Sequence, residues 1–386
     1  MTGMRAVGYG LVGCGSFGNF CLEQYSGMRE IRLVAAADAR PVTAERTAAR
    51  FGMVACATPG ELIARDDVDV VHVATPPVTH AELTLAALAA GKHVLCEKPL
   101  AIGIEDARSM VETAGRARRV LAANLIMRYA PACEIVKRLV EGRLLGEPLH
   151  GFFENYAKDE DLPPGHWFWD RRQSGGIFVE HGVHFFDLFG WWLGPGRVVA
   201  AQETCRPGTD LTEQVGCTAL YGQGDGRAVV NMYHGFTQAG RMDRQQTRLV
   251  FERGSVTLPG WVPEGMTVDA LVDDATLEKL VALMPGARIE TIEAYEGDRR
   301  RVTSRHKTYV VDRRVAVRYD AGMSKIELYG HVLRSLLADQ VAAMDDPAHE
   351  RRVTEDNGLA SLAMALEADG LARLAAQRDT NGADGP

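Results

Sequence analysis

The sequence predicts an α/β fold in two parts: an N-terminal doubly wound parallel sheet, followed by an α/β domain built on a large, mostly antiparallel sheet. Three observations predict it. Gly13, Gly15 and Gly18 form a G-x-G-x-x-G run directly behind an apolar strand at the N-terminus. From there to Asn124, strand-like and helix-like segments alternate, the pattern of parallel β–α units with helices on both faces. Beyond Glu141 the pattern changes to alternating strand-like segments separated by glycine-rich turns, which suits antiparallel pairing. The expected boundaries are 1–128 for a Rossmann-type nucleotide-binding domain, 129–378 for a substrate-binding and oligomerisation domain, and 379–386 for a polar tail that frays.

Taken in order, the first strand is read over Arg5–Val12, and each glycine after it has its own reason. Gly13 permits the tight strand-to-helix turn. Gly15 has no side chain, so a pyrophosphate can approach the backbone. Gly18 lets the helix pack closely on the strand, with its first N–H groups aimed at the phosphates. The helix opens with Ser16 and Phe17. A second strand, Ile31–Ala37, ends in Asp38, which stands 38 − 18 = 20 residues past the last glycine. An acidic residue there accepts hydrogen bonds from the adenosine ribose. Asp38 therefore favours NAD, since its carboxylate repels a 2′-phosphate, while Arg40 beside it leaves NADP possible.

Pro41–Phe51 reads as a helix, and the β-branched run Val68–Ala74 as a buried parallel strand that stops at Thr75-Pro76-Pro77. His80–Ala90 has helical spacing and ends at Gly91; His93–Cys96 is a short strand, Ile104–Arg116 a helix and Val120–Asn124 a strand. Ligands bind at the carboxyl ends of such strands, which gathers the glycine loop, Asp38, Thr75-Pro76 and Glu97-Lys98-Pro99 along one crevice. The cofactor-facing candidates are Gly13, Gly15, Ser16, Phe17, Gly18, Asp38, Arg40, Thr75, Pro76, His80 and Glu97. Ala130–Glu141 reads as a linking helix. Strands are expected near Leu149–Tyr156, Arg197–Thr204, Gln214–Tyr221, Ala228–Gly235 and Thr247–Glu252. Residues 260–325 give no clear period and leave room for a short helix and more strands. Two helices close the chain, near Ser324–Met344 and Thr354–Ala376.

Composition excludes several classes. With 386 residues, 46% hydrophobic and 24% charged, the chain is globular and long enough for two domains. A net charge of −8 without a long basic run argues against nucleic acid as the main partner. No apolar run is long enough to span a bilayer, and the first strand begins too early to leave room for a signal peptide. Seven cysteines, an odd number without a C-x-x-C pair, suit reduced thiols in a cytoplasm rather than a disulfide framework or a zinc site. No metal is expected.

A second rich stretch runs from Gly175 to Leu188. Two glycines lead into a helix carrying Glu180, His181, His184 and Asp187. Glu180 and His184 are four apart and share one face of a turn, and a carboxylate beside an imidazole suits general acid–base work near neutral pH. His181 is expected to face away, because adjacent helical residues point in different directions.

The glycine motif, Glu97-Lys98-Pro99, and G-G-x-x-x-(acid)-x-G-x-H-x-x-D at 175–187, in this order, resemble the Gfo/Idh/MocA oxidoreductases. That family is named for glucose–fructose oxidoreductase and inositol dehydrogenase. Val353–Leu359 also resembles the family's entry into its last helix. The resemblance implies a Rossmann domain and a second domain whose mostly antiparallel open sheet mediates a homo-oligomer, dimer or tetramer. It implies hydride transfer between a nicotinamide and a ring hydroxyl or ketone carbon of a sugar, amino sugar or cyclitol. By position, Lys98 matches the lysine that hydrogen-bonds the reacting hydroxyl, His184 the histidine that takes or gives its proton, and Glu180 stands where the family usually has aspartate. Glu97 and Pro99 are implied to shape the loop, with a cis bond at Pro99 as an option. Two other functions suit the same motifs: a redox-neutral, NAD-dependent epimerase or glycoside-cleaving enzyme, and a non-catalytic regulator that senses NAD or sugar.

Overall fold

Six consecutive buried residues form β1, Val7–Val12, and such a run is stable only where both faces of a sheet are covered. The computed structural model describes residues 6–159, 162–224 and 227–382, so Arg5 at the expected start of this strand lies outside the described residues. After β1 come α1 (Ser16–Tyr25), β2 (Ile31–Ala37), α2 (Pro41–Phe51), β3 (Val54–Cys56) and α3 (Pro59–Ile63). Then follow β4 (Val70–Val73), a short 3₁₀ turn over Pro77–Thr79, α4 (His80–Ala89), β5 (His93–Cys96), α5 (Ile104–Ala117) and β6 (Leu121–Ala123). The sheet is parallel, in the order β3-β2-β1-β4-β5-β6. The chain reverses its direction of winding between β1 and β4, the point at which sheets of this kind bind ligands at the carboxyl ends of their strands.

α6 (Pro131–Glu141) leads into β7 (Pro148–Tyr156). A single turn, α7 (Arg171–Ser174), precedes a π-helical turn over Phe178–Gly182 that runs on into α8 (Val183–Leu193). The strands β8 (Gly196–Cys205), β9 (Thr212–Tyr221) and β10 (Ala228–Gly235) match or extend the expected ones, β11 (Arg244–Phe251) starts three residues before the expected Thr247 and stops one short of Glu252, and β12 (Gly254–Pro259) has no expected counterpart. The stretch without a clear period holds β13 (Gly265–Val272), α9 (Asp274–Leu283), β14 (Arg288–Ala294), the hairpin β15 (Arg301–Ser304) and β16 (Lys307–Val310), and β17 (Arg313–Asp320). A nine-stranded sheet forms in the order β14-β17-β13-β12-β11-β7-β10-β9-β8. Its pairs are antiparallel except β7 with β10. In β13, Met266, Val268, Ala270 and Val272 alternate inward, the period of a strand with one covered face.

α10 (Lys325–Asp345) and α11 (Glu355–Gly382) complete the chain. Of the expected tail from Asp379, the first residues are part of α11, which continues to Gly382, and residues 383–386 lie outside the described residues. Backbone hydrogen bonding carries the helix past Ala376, where the apolar pattern on which the expectation rested has ended.

Two compact units result. The first comprises Met1–Ile126, Gly165–Asp187 and Tyr329–Leu366, and the second Met127–Pro164, Leu188–Leu328 and Glu367–Pro386. The parallel sheet and the Gly175–Asp187 motif thus belong to one unit. In the second unit, Trp192 donates from Nε1 to the Cys133 carbonyl at 3.0 Å, and the Arg128 guanidinium lies 5.7 Å above the Trp191 ring, both bracing contacts. The seven cysteines are free, six of them buried. Among the described residues, no helix is long and apolar enough to cross a membrane.

One half-buried histidine makes stability depend on pH. His93 Nδ1 accepts the Val120 N–H at 2.9 Å, which requires an unprotonated nitrogen. Burial first, and the Arg119 charge second, push its pKa down to about 4. The unfolded chain takes up the proton near pH 6.5, so the stabilisation is complete above that value and declines as pH falls toward 4. The effect has a ceiling of about 3 kcal/mol. Urea unfolding at pH 7.5 and 4.5 should show a smaller loss for His93→Gln than for the natural chain; equal losses would clear His93 of the role.

Candidate active site

Backbone geometry builds the cradle at the end of β1. Gly13 has φ +101, and a Cβ there would lie 2.3 Å from the Ala74 carbonyl oxygen on the neighbouring strand's exit. Gly18 faces the Gly13 carbonyl so closely that a Cβ would sit 2.2 Å from it. Gly15 is different: it is exposed, and nothing stands within 4 Å of where its Cβ would be. It is also the N-cap of α1, where no side chain accepts the first-turn N–H groups. Asp38 is held by two backbone donors, Cys14 N–H at 2.8 Å and Arg40 N–H at 2.9 Å. The Arg40 side chain is exposed, its Nε 3.8 Å from Asp38. Ser16 is exposed on the first turn, and the Phe17 ring packs at 6.3 Å from Phe20. An open glycine, an uncapped helix start and a fixed carboxylate fit a dinucleotide with a free ribose diol.

The next two loops are tied together from beneath. Thr79 Oγ1 lies 2.7 Å from Thr75 Oγ1 and 2.9 Å from the Pro76 carbonyl. His80 Nδ1 is 2.7 Å from the Pro99 carbonyl and Nε2 2.8 Å from the Thr75 carbonyl. The ring is fully buried, and that burial lowers its pKa against the pull of the two carbonyls. The Lys98–Pro99 peptide is cis. His80, expected to face the cofactor, instead braces the Thr75 loop against the Pro99 loop, because the first residue of α4 points under both.

Glu97 is buried, with its Oε1 turned into the sheet. Its Oε1 accepts from His72 Nε2 at 2.9 Å and from Asn124 Nδ2 at 2.7 Å. On the other side of the ring, Tyr9 Oη lies 2.5 Å from His72 Nδ1. Burial raises the Tyr9 pKa well above the ordinary phenol value, so its hydroxyl keeps its proton and donates it. With His72 Nε2–H donating to Glu97, Nδ1 of the neutral ring accepts from Tyr9 O–H. Cys21 completes a buried group whose ligand atoms, with those of His72 and Glu97, lie within 4.8 Å of one another. Both nitrogens of His72 are already engaged there, so the group reads as a hydrogen-bonded string rather than a metal centre. Tyr9→Phe would leave His72 Nδ1 buried without its donor and should destabilise the chain by about 1–3 kcal/mol. A change under about 0.5 kcal/mol in urea unfolding would show that the string carries no such weight. Tyr9 and His72 were missed in the sequence because both sit in strand runs; the one available signal was a histidine within Val70–Val73.

The second half of the site comes from Gly175–Asp187. Gly175 and Gly176 have φ +82 and +90 and reverse the chain into the π-helical turn. Such a turn holds one residue more than an α-turn and so shifts the register of what it carries. Glu180 Oε1 lies 2.5 Å from Lys98 Nζ, which also donates to the Glu180 carbonyl at 2.9 Å. The other carboxylate oxygen, Oε2, lies against His181 Nδ1. His181 is therefore at the site rather than facing away. The widened turn and glutamate's extra methylene let one carboxylate reach both Lys98 and its own neighbour. The Phe168 ring meets His181 edge-on at 5.3 Å. His184 and Asp187 are buried on α8. Burial would raise the Glu180 pKa, but the Lys98 charge and then His181 outweigh it, holding the carboxyl well below its ordinary range. Tyr329, absent from the sequence reading, is half-buried, and desolvation with the charges of Glu97 and Glu180 raises its phenol pKa. A cation, a carboxylate held ionised and an imidazole in a mostly dry site can stabilise a developing oxyanion and move a proton.

Residues 7–125 match the sequence model described as "Oxidoreductase family, NAD-binding Rossmann fold", and residues 133–257 match "GFO/IDH/MocA C-terminal domain". The chain is 31% identical over 188 residues to inositol 2-dehydrogenase of Rhizobium meliloti (strain 1021), covering 49% of this chain and 55% of that protein. It is 32% identical over 242 residues to dTDP-3,4-didehydro-2,6-dideoxy-alpha-D-glucose 3-reductase of Saccharopolyspora spinosa, covering 60% and 69%. Most curated relatives are matched over only about half their length, as with 1,5-anhydro-D-fructose reductase of Ensifer adhaerens at 46%. A solved structure of levoglucosan dehydrogenase in complex with NADH and L-sorbose shares the fold, with a TM-score of 0.74 at 20% identity over 96% of this chain and 97% of that one.

Proposed function

The chain belongs to the GFO/IDH/MocA oxidoreductase family, and from that premise we propose that it moves hydride between a nicotinamide and a ring hydroxyl or ketone carbon of a sugar, amino sugar or cyclitol. The observation that carries this reading is the contact of Lys98 with an ionised Glu180 in the unit that also holds the glycine cradle. When bound, the nicotinamide takes up or gives back the hydride. The protein's own part is to bind and polarise the substrate oxygen. Lys98 hydrogen-bonds that oxygen and stabilises the charge it develops. Glu180 holds Lys98 in place. An imidazole of the 178–187 segment takes the hydroxyl proton, and the motif points to His184. In oxidation the hydroxyl loses its proton, the carbon loses a hydride, and a ketone results.

Asp38 supports NAD over NADP, since its carboxylate is fixed where a 2′-phosphate would meet it. Free cysteines support a reducing, cytoplasmic compartment. A homo-oligomer, dimer or tetramer, is part of the proposal, and light scattering would read it directly. The test is reduced-nicotinamide absorbance with NAD or NADP and a panel of sugars, amino sugars and cyclitols. A rise with one class supports the reading and names the substrate. Epimer formation or glycoside cleavage without net nicotinamide change replaces it with the redox-neutral enzyme. Binding of NAD and sugar without any conversion replaces it with the regulator.

A further inference from the structure

We infer that Asn19 and Thr47, neither of which the sequence motifs single out, are positioning residues that clamp the glycine loop in its dinucleotide-binding shape, and that Thr47 acts through Asn19. Asn19 lies in the first turn of α1. Its Nδ2 donates to the Cys14 carbonyl at 2.7 Å and to the Gly15 carbonyl at 3.0 Å, and the Gly15 carbonyl also accepts the Asn19 backbone N–H at 3.0 Å. Both partners of the amide nitrogen are carbonyl oxygens, which only accept, so the nitrogen has to face them and Oδ1 has to face the other way. There Oδ1 accepts from Thr47 Oγ1 at 3.2 Å, the hydroxyl of a buried residue of α2. Both amide hydrogens and the amide oxygen are engaged, which leaves the side chain one orientation.

A trans peptide points its C=O and its N–H in opposite directions. Tying the Cys14 and Gly15 carbonyls to Asn19 therefore turns the Gly15 and Ser16 N–H groups away from it. Neither of those N–H groups has an acceptor among the described residues. Free donors at a helix start are what a pyrophosphate binds, and a carbonyl swung into their place would repel it. Gly15 is exposed and has no Cβ to limit its backbone, so the loop's own covalent structure does not fix that shape. Cys14 is restrained on its other groups as well. Its N–H is on Asp38 at 2.8 Å and its thiol on the Ala37 carbonyl at 3.5 Å. Burial pushes the thiol up to about 11, so it stays protonated and keeps that bond near neutral pH. The end of β2 holds one side of Cys14, and Asn19, backed by α2, holds the other. The loop is thereby ordered before a dinucleotide arrives, which spares the ligand that entropic cost. The pair acts on dinucleotide binding and is independent of which substrate is turned over.

The test is titration with NAD and NADP, read by protein fluorescence, of Asn19→Ala, Thr47→Val, Thr47→Ser and the double variant Asn19→Ala/Thr47→Val, each at a temperature where urea unfolding shows it folded. Asn19→Ala is expected to weaken NAD about 10–100-fold, as two hydrogen bonds that hold the loop are lost, and to weaken NADP by the same factor, because the pyrophosphate is common to both. Thr47→Val keeps the shape and removes the hydroxyl, and is expected to weaken NAD about 3–10-fold; Thr47→Ser keeps the hydroxyl and is expected within about twofold of the natural chain. In the Asn19→Ala background, Thr47→Val is expected to change NAD affinity by less than about twofold. General softening of the fold would instead multiply the two losses. Multiplied losses in the double variant, NAD affinity within about twofold of the natural chain in Asn19→Ala, or a loss for NAD without one for NADP, which would put the effect on Asp38, each overturn the proposal. If Asn19→Ala does not fold, the two Thr47 variants decide: natural affinity in the serine variant with the loss in valine supports the clamp, and equal affinities overturn it.

Discussion

Lys98→Ala is expected to lower kcat by about 10²–10³-fold while NAD still binds, the size of loss seen when one preorganised donor to a developing oxyanion is removed. The same substitution takes the ammonium from Glu180, a buried carboxylate held ionised chiefly by that charge. Removing one partner of a buried pair typically destabilises by about 3–5 kcal/mol, and because His181 remains beside Glu180 the lower end is expected here. Lys98→Met paired with Glu180→Gln separates the two effects. The double variant should regain much of the stability lost in Lys98→Met and none of the activity, since uncharged groups no longer leave a buried anion uncompensated. Kinetics and urea unfolding on the same preparations read both. A Lys98→Ala protein within tenfold of the natural kcat would remove the lysine from the chemistry.

Gly15→Ala and Gly13→Ala should fail in opposite ways. Gly15 has φ −69 and ψ −173, a conformation open to any residue, and its missing side chain faces empty space. A methyl group there should leave stability within about 0.5 kcal/mol of the natural chain. What it meets is the incoming pyrophosphate, and NAD affinity should fall about 10–100-fold, the equivalent of an overpacking clash of roughly 1–3 kcal/mol. Gly13 has φ +101 and a carbonyl oxygen 2.3 Å from the position a Cβ would take. Alanine there is both conformationally strained and in collision with backbone, so a loss of about 3 kcal/mol or more in folding stability is expected, with NAD binding lost alongside. Calorimetry and fluorescence titration distinguish the cases. Unchanged NAD affinity in Gly15→Ala would mean that the phosphates do not lie over this glycine.

The central strands of the first unit were legible because burial on both faces leaves a near-continuous apolar run, as in Ile31–Ala37 and His93–Cys96, whose expected bounds agree with the observed ones. β3 was not, since two of its three residues are exposed. β14 was illegible for a stronger reason: all seven of its residues are exposed, so it is a strand by its pairing with β17 and not by any pattern of its own. The reading of the site divides along the same line. Lys98, Glu180 and the glycines follow from motif spacing, while the contacts of His80 with the Thr75 and Pro99 carbonyls and of Glu97 with His72 and Asn124 do not.

By itself, then, the sequence determined the parallel sheet, the glycine cradle with Asp38 at its rim, and the presence of a lysine, a carboxylate and histidines for the chemistry. Each of these depends on residue type and local spacing, which a chain carries wherever it folds. Tertiary structure alone decided which polar groups meet. Tyr9, His72, Glu97 and Asn124 come from four separated strands or strand ends and form one string only once the sheet is assembled. His181 reaches Glu180 through a turn of non-standard register, and Lys98 finds that carboxylate across 82 positions of sequence. Hydrogen bonds and ion pairs act over a few ångströms in space, and the distances at which they act are set by packing rather than by order along the chain.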